Sequence, residues 1–211
     1  MWSRRIFKLL WGFLLLTLPL WGQELIYTPK VFFDTTKPFE SIKRYDNATA
    51  VFLDFIARRL EQRLIEHLLD KKGVVLLLKS GIGSDITLFY TFPQAKVYKL
   101  SLYSEFGNPD VGLHKSYRYG YRIDITLALY IFETSTSPRL LFYRTYRFLR
   151  YYPPKGEYLP PYPALAEPIA DSFFLNMVKD IDRFIDQLKR KLEYYKRLGE
   201  ENKNGTPNRG K

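Results

Sequence analysis

An α+β fold is what this sequence predicts: a two-layer sandwich with a mostly antiparallel sheet of four to five strands and two helices on one face. Three observations carry that prediction. In YRYGYRIDITLALYI (residues 117–131) every odd position is aromatic or branched aliphatic, while the even positions from Arg118 to Ala128 are polar or small. A period of two belongs to a strand with one face buried and one face available. Residues 49–69 and 164–198 instead repeat their apolar positions at steps of three and four, the spacing of amphipathic helices. Strand-like segments at 96–106, 117–132 and 139–152 follow one another through short turns, which favours an antiparallel meander. Helices segregated to one face of such a sheet form a standard layered arrangement.

The chain opens with a basic region (Arg4, Arg5, Lys8) and an apolar run, LLWGFLLLTLPLW, over residues 9–21. That order reads as a secretory signal peptide over 1–22, because the run is shorter than the roughly 20 residues a spanning helix needs. Removing it takes away three basic and no acidic residues, lowering the net charge from +11 to +8. A single domain is expected over 23–198, with a disordered polar tail over 199–211 that holds no large apolar residue.

Within the domain, LIYTPKVFF (25–33) reads as a short first strand interrupted by Pro29, followed by a turn-rich connection over 34–47. The helix over 49–69 aligns Leu53, Ala57, Leu60, Leu64 and Leu68 on one stripe. Asp46, Asn47 and Thr49 are possible caps, and Gly73 suits the left-handed residue that follows a helix. VVLLL (74–78) is a continuous apolar run, expected as a central strand buried on both faces. SGIGSD (80–85) is read as a turn, since it lacks the glycine and lysine spacing of a phosphate cradle.

In the segment 96–106, Tyr98, Leu100 and Leu102 share one side and Lys99, Ser101 and Glu105 the other. GNPDVG (107–112) and TSTSP (134–138) carry turn chemistry. The segment 139–152 alternates Leu140, Phe142, Tyr146 and Phe148. A proline-rich hinge over 153–163 precedes the last helix, whose stripe includes Leu165, Ile169, Phe173, Met177, Ile181 and Leu188. Pro168 is expected in its first turn, where the missing N–H costs little. A length of about 50 Å follows from the helical rise.

The sequence offers little for catalysis. It has two histidines and no cysteine, so neither a disulfide framework nor a thiolate site is available. Asp180, Asp182 and Asp186 lie among basic residues, as on a solvated helix face. No enzyme activity, cofactor or metal is expected. What stands out is a basic and aromatic dressing of the sheet: Lys99, Lys115, Arg118, Arg122, Arg144, Arg147 and Arg150, interleaved with tyrosines in a chain whose Phe, Tyr and Trp together make up 17%. Arginine suits bidentate recognition of phosphate, and aromatic rings suit acyl chains or protein partners. A basic exported chain meets anionic lipids or acidic partners, not nucleic acid. Arg144 and Arg150 share a parity that Arg147 lacks, so the three cannot all face one side of a regular strand.

The succession of short strand, helix (49–69), strand–turn–strand (YRIDITLALYIFETSTSPRLLFYRTYRF) and closing helix (ADSFFLNMVKDIDRFIDQL) resembles LptE, a lipopolysaccharide-assembly component of Gram-negative outer membranes. It is similar also to the auxiliary lipoproteins of Mce-type phospholipid transporters. The resemblance is one of pattern over residues 25–192, and it departs from both families in lacking the cysteine that carries their lipid anchor. It implies a non-catalytic protein at the periplasmic face of the outer membrane, binding lipopolysaccharide or another anionic lipid and a β-barrel partner. On that reading Lys115, Arg118, Arg122 and Arg147 are the expected ligand contacts; a protein-only periplasmic adaptor is the alternative.

Overall fold

The computed structural model describes residues 28–71, 73–108, 112–134 and 137–204. The expected signal peptide and the last residues of the tail lie outside them. Two compact units divide the chain, Pro29–Leu188 and a second made of Met1–Thr28 with Lys189–Lys211. In the second, the described residues include the end of the last helix, where Lys191 stands 5.8 Å from the centre of the Tyr195 ring. The first holds the sheet and core.

The architecture is α+β, with a five-stranded mixed sheet in the order β2-β1-β3-β4-β5. In chain order the elements are β1 (Lys30–Phe33), α1 (Thr36–Ile42), α2 (Asn47–Asp70), β2 (Val75–Leu77), β3 (Ile86–Asn108), β4 (Gly112–Glu133), β5 (Arg139–Gly156) and α3 (Tyr162–Asn204). The meander β3-β4-β5 is antiparallel, as expected, but β1 runs parallel to both β2 and β3. No helix among the described residues is long and apolar enough to cross a membrane.

Periodicity sets the core. Tyr121, Ile123, Ile125, Leu127, Leu129 and Ile131 of β4 are all essentially inaccessible. They pack in one cluster with Leu53, Leu60, Leu64 and Leu68 of α2 and with Ile169, Phe173, Met177 and Ile181 of α3. The buried Tyr90 hydroxyl donates to the Ala57 carbonyl of α2 at 2.9 Å. Arg144 and Tyr146 of β5 both donate to Asp180 of α3, the phenol at 2.7 Å. These contacts place both long helices on one face of the sheet.

Several boundaries differ from expectation for identifiable reasons. The connection over 34–47 contains α1, whose start is organised by Asp34 accepting from the Thr36 amide (3.0 Å) and hydroxyl (2.6 Å). Asp46 then caps α2 by accepting from the Thr49 amide at 3.0 Å, and Gly73 beyond its end has φ +75°. The apolar run 74–78 yields β2 at the sheet's edge, not its centre, and Val75 is 41% exposed. β3 begins ten residues earlier than expected and is interrupted by a bulge between Thr91 and Gln94. The backbone freed there is used: the Phe92 carbonyl accepts from Tyr45 (2.7 Å) and Arg44, and its amide donates to Ser41 Oγ (3.1 Å). The bulge thus anchors α1 and the loop after it. β5 continues through the prolines to Gly156, and α3 starts at Tyr162 and runs through Asn204, past the start of the expected tail. Pro168 therefore falls beyond the first turn, where it costs the helix one backbone bond.

Candidate functional site on the open face of the sheet

The face of the sheet turned away from the helices has no covering layer among the described residues. It is built from the even positions of β4 and their cross-strand partners. Arg122 lies opposite Tyr98 of β3 and Tyr151 of β5; Asp124 lies opposite Lys96 and Leu149. Farther along, Arg118 pairs with Leu102 and Gly120 with Leu100. Side chains directly opposite in an antiparallel sheet share a face, so cations and apolar groups alternate over one surface. Tyr98, Leu102, Leu149 and Tyr151 are each about half exposed. At the other end, Phe89, Tyr130, Phe132 and Tyr143 stack into an aromatic patch with ring centres 5.0–6.4 Å apart.

Register decides which predicted residues meet. Arg122 and Arg118 stand exposed on the open face, and neither makes an ion pair with a described residue. Arg147 shares that face, opposite Thr126. Its guanidinium is committed to Asp124 through two parallel bonds, Nε to Oδ1 at 2.9 Å and Nη2 to Oδ2 at 2.7 Å. Lys115 lies in β4 opposite Glu105, and its side chain is outside the described residues. Lys99 corrects the sequence reading: it lies opposite Tyr121 on the helix side, its ammonium 5.9 Å from the centre of the Tyr162 ring. Arg144 and Arg150, opposite Leu129 and Ile123, are on that side too.

Electrostatics centre on Asp124, which is 9% exposed. The hydrogen bonds from Arg147 hold its carboxyl below the usual carboxylate range against the opposing effect of burial, and the charges of Arg122 and Lys96 act in the same direction. Arg147 is correspondingly raised by Asp124. One carboxylate therefore serves three cations, leaving local positive charge around Lys96 and Arg122. These two, with Tyr98, Lys99, Leu100 and Asp124, line an open cavity of about 370 Å³, at the small end of ligand-site volumes. Such an arrangement can hold an anionic group of phosphate size with an apolar extension across Tyr98, Leu149 and Tyr151.

Sequence reasoning missed Lys96 and Asp124. The signal was present in Asp124, an acid on the even side of a strand otherwise carrying arginines. Elsewhere, Arg59, Arg63, Glu66, His67 and Phe174 line a hollow between α2 and α3. Its arginines are paired with Glu167 (2.7 Å) and Asp171 (2.9 Å). Among the described residues no cluster of three His, Cys, Asp or Glu could hold a metal ion.

No protein-family model matches the chain, and no curated protein matches it in sequence. Among solved structures, it is similar to a proposed homologue of neuraminyllactose-binding hemagglutinin from Helicobacter pylori. The two are 13% identical, the match covers 85% of this chain and 93% of the other, and the TM-score is 0.44. That degree of likeness bears on neither fold nor function.

Proposed function

We propose that the chain is an exported, non-catalytic component of lipopolysaccharide transport and assembly, whose open sheet face binds an anionic lipid and which works beside an outer-membrane β-barrel. The observation that supports the reading is the set Lys96 and Arg122 beside Tyr98, Leu149 and Tyr151: cations that share a single carboxylate, Asp124, with Arg147, bordered by exposed apolar side chains. A phosphorylated lipid has the same two-part chemistry. Its phosphate would sit between the ammonium and the guanidinium, the latter able to bond two oxygens at once. The first part of its acyl chain would cover the aromatic and leucine side chains, at about 25 cal/mol per Å² removed from water. Arg118 extends the cationic line along β4.

Phosphate and acyl chain are shared by lipopolysaccharide and by the phospholipids of the alternative transport reading, so the test separates them. The full chain is titrated with lipopolysaccharide and, separately, with vesicles of phosphatidylglycerol, each against the K96E/R122E double variant. Lipopolysaccharide binding that weakens tenfold or more in the variant, about 1.4 kcal/mol, is the expected result. A preference for phosphatidylglycerol would move the assignment to phospholipid transport. Equal binding by wild type and variant would refute the face as the site.

A further inference from the structure

The sheet is open at an edge as well as on a face. β5 is the last strand in the order, paired with β4 on one side along most of its length. On its other side no described residue pairs with it: neither the backbone bonds outside the regular elements nor the side-chain bonds include a β5 amide or carbonyl. Residues 139–152 of this strand present on that side a row of N–H and C=O groups with no partner among the described residues, about 45 Å long at the usual rise. Long bare edges template strand addition, and proteins ordinarily blunt them. The prolines here, Pro153 and Pro154, sit near the C-terminal end of β5 and leave residues 139–152 open.

The charge of this edge selects its occupant. RLLFYRTYRFLRYYPPKG contains Arg139, Arg144, Arg147, Arg150 and Lys155 and no acidic residue. Arg144 and Arg147 are answered from neighbouring elements by Asp180 and Asp124, and Arg139 faces Glu133 across the β4 ladder. Arg150 and Lys155 have no ion pair among the described residues. A second copy of the chain fits poorly. Antiparallel pairing of β5 with itself about Arg147 sets Arg144 opposite Arg150 and Arg139 opposite Lys155, and like charges directly opposite destabilise a ladder.

We infer that the edge of β5 accepts an extended, acid-bearing segment of a partner protein as a sixth strand. Main-chain bonds to β5 would supply the affinity. Carboxylates at alternate positions would meet Arg150 on the helix side, and the intervening apolar residues would extend the rows of the open face begun by Tyr143, Leu149 and Tyr151. The main-chain pairing does not depend on the lipid assignment, because the edge groups lie in the plane of the sheet, although the partner's apolar residues would lie beside Leu149 and Tyr151, which also border the proposed lipid site.

The test uses the full chain and a labelled ten-residue peptide alternating Glu with Val and Tyr, beside a version with Lys in place of every Glu. Binding is followed by fluorescence anisotropy, and amide hydrogen exchange locates it. Saturable binding of the Glu peptide is expected, at least tenfold tighter than the Lys peptide, weakening with salt and at least fivefold in R150E. Exchange should slow at alternate amides of residues 139–152. Equal binding of the two peptides, or protection elsewhere, overturns the inference. So does concentration-dependent protection of β5 without peptide, which would make a second copy the occupant.

Discussion

Gly120 is the position where one added carbon should do the most damage for its size. A Cβ built there would stand 2.3 Å from the Tyr152 carbonyl oxygen, 2.8 Å from the Pro154 nitrogen and 2.9 Å from the Pro153 carbonyl carbon. All three are backbone atoms of β5, which bulges where its register jumps between Tyr119 and Tyr121. Because the backbone at Gly120 is not left-handed, alanine meets no conformational objection, and Gly→Ala alone would stabilise by about 0.4–1 kcal/mol through the unfolded state. The collision sets the opposite sign. Forcing a methyl into a closed contact costs about 1–3 kcal/mol, and rigid backbone puts Gly120→Ala at the upper end, so a net loss of about 1–2 kcal/mol is expected. For a chain of this size that lowers the melting temperature by roughly 2–8 °C. Gly156→Ala is the control, since its Cβ would meet nothing nearer than the Tyr158 nitrogen at 4.0 Å. Thermal and urea denaturation followed by circular dichroism read both. A Gly120→Ala protein as stable as wild type would refute the close approach of β5 to β4.

Three further outcomes can be checked on purified protein. Tyr146→Phe removes the 2.7 Å bond to Asp180, which keeps both bonds from Arg144; a loss of about 0.5–1.5 kcal/mol in urea unfolding is expected, and no loss would show the phenol to be a bystander. Burial opposes ionisation of Asp182, but bonds from His67 (2.9 Å) and Lys71 (2.6 Å) outweigh it and lower its carboxyl from the usual range. Its stabilisation is therefore present above the unfolded carboxylate value and lost as pH falls through the folded one; Asp182→Asn should flatten part of the acid limb of the stability–pH curve, and an unchanged limb would count against the pairing. Burial pushes the Tyr121 phenol, which donates to the Pro160 carbonyl at 3.0 Å, up to about 12. Its contribution is full below the unfolded value near 10 and fades as pH rises towards 12. Tyr121→Phe should remove that share of the alkaline loss, and an alkaline limb identical to wild type would show that the phenol does not contribute.

How far the sequence could be read depended on whether burial enforced the pattern. Along Ile123–Ile131 of β4 every odd position is buried against the helices, as the period of two requires, while on the even side Asp124 and Ala128 are buried as well. On β3 the same rule misplaced Lys99, because Tyr98, Leu100 and Leu102 look like the core-facing set. They are not, since register is fixed by Leu88 and Val97 against Ile131 and Ile123. Their faces simply follow by alternation into a region where neither side is deeply buried. The bulge at Thr91–Gln94 and the register shift between Ile131 and Phe132, which leaves Leu140 47% exposed, are likewise set by pairing and not by composition. VVLLL was misplaced because an apolar run states that a strand is apolar, not where in the sheet it lies. The place of Arg118 and Arg122 on the open face was legible from parity; that Arg147 is held by Asp124 needed the cross-strand geometry.

On the proposed lipid reading, Asp124 ties stability and ligand binding together with opposite signs. Its two bonds to Arg147 join the centres of β4 and β5, and its charge offsets the field of Lys96 and Arg122. Asp124→Asn removes the charge while keeping size and one oxygen acceptor, so the strand pairing weakens and the face becomes more positive by one unit. Arg147 is at the same time released toward whatever anion sits beside Arg122. The variant should unfold at lower urea concentration than wild type and yet bind lipopolysaccharide more tightly, with a steeper dependence on salt as expected of exposed charge. A structural role alone predicts lower stability with unchanged or weaker binding. Tighter binding at lower stability is the signature of a carboxylate kept to restrain a cationic face, and weaker binding in Asp124→Asn would refute that role for it.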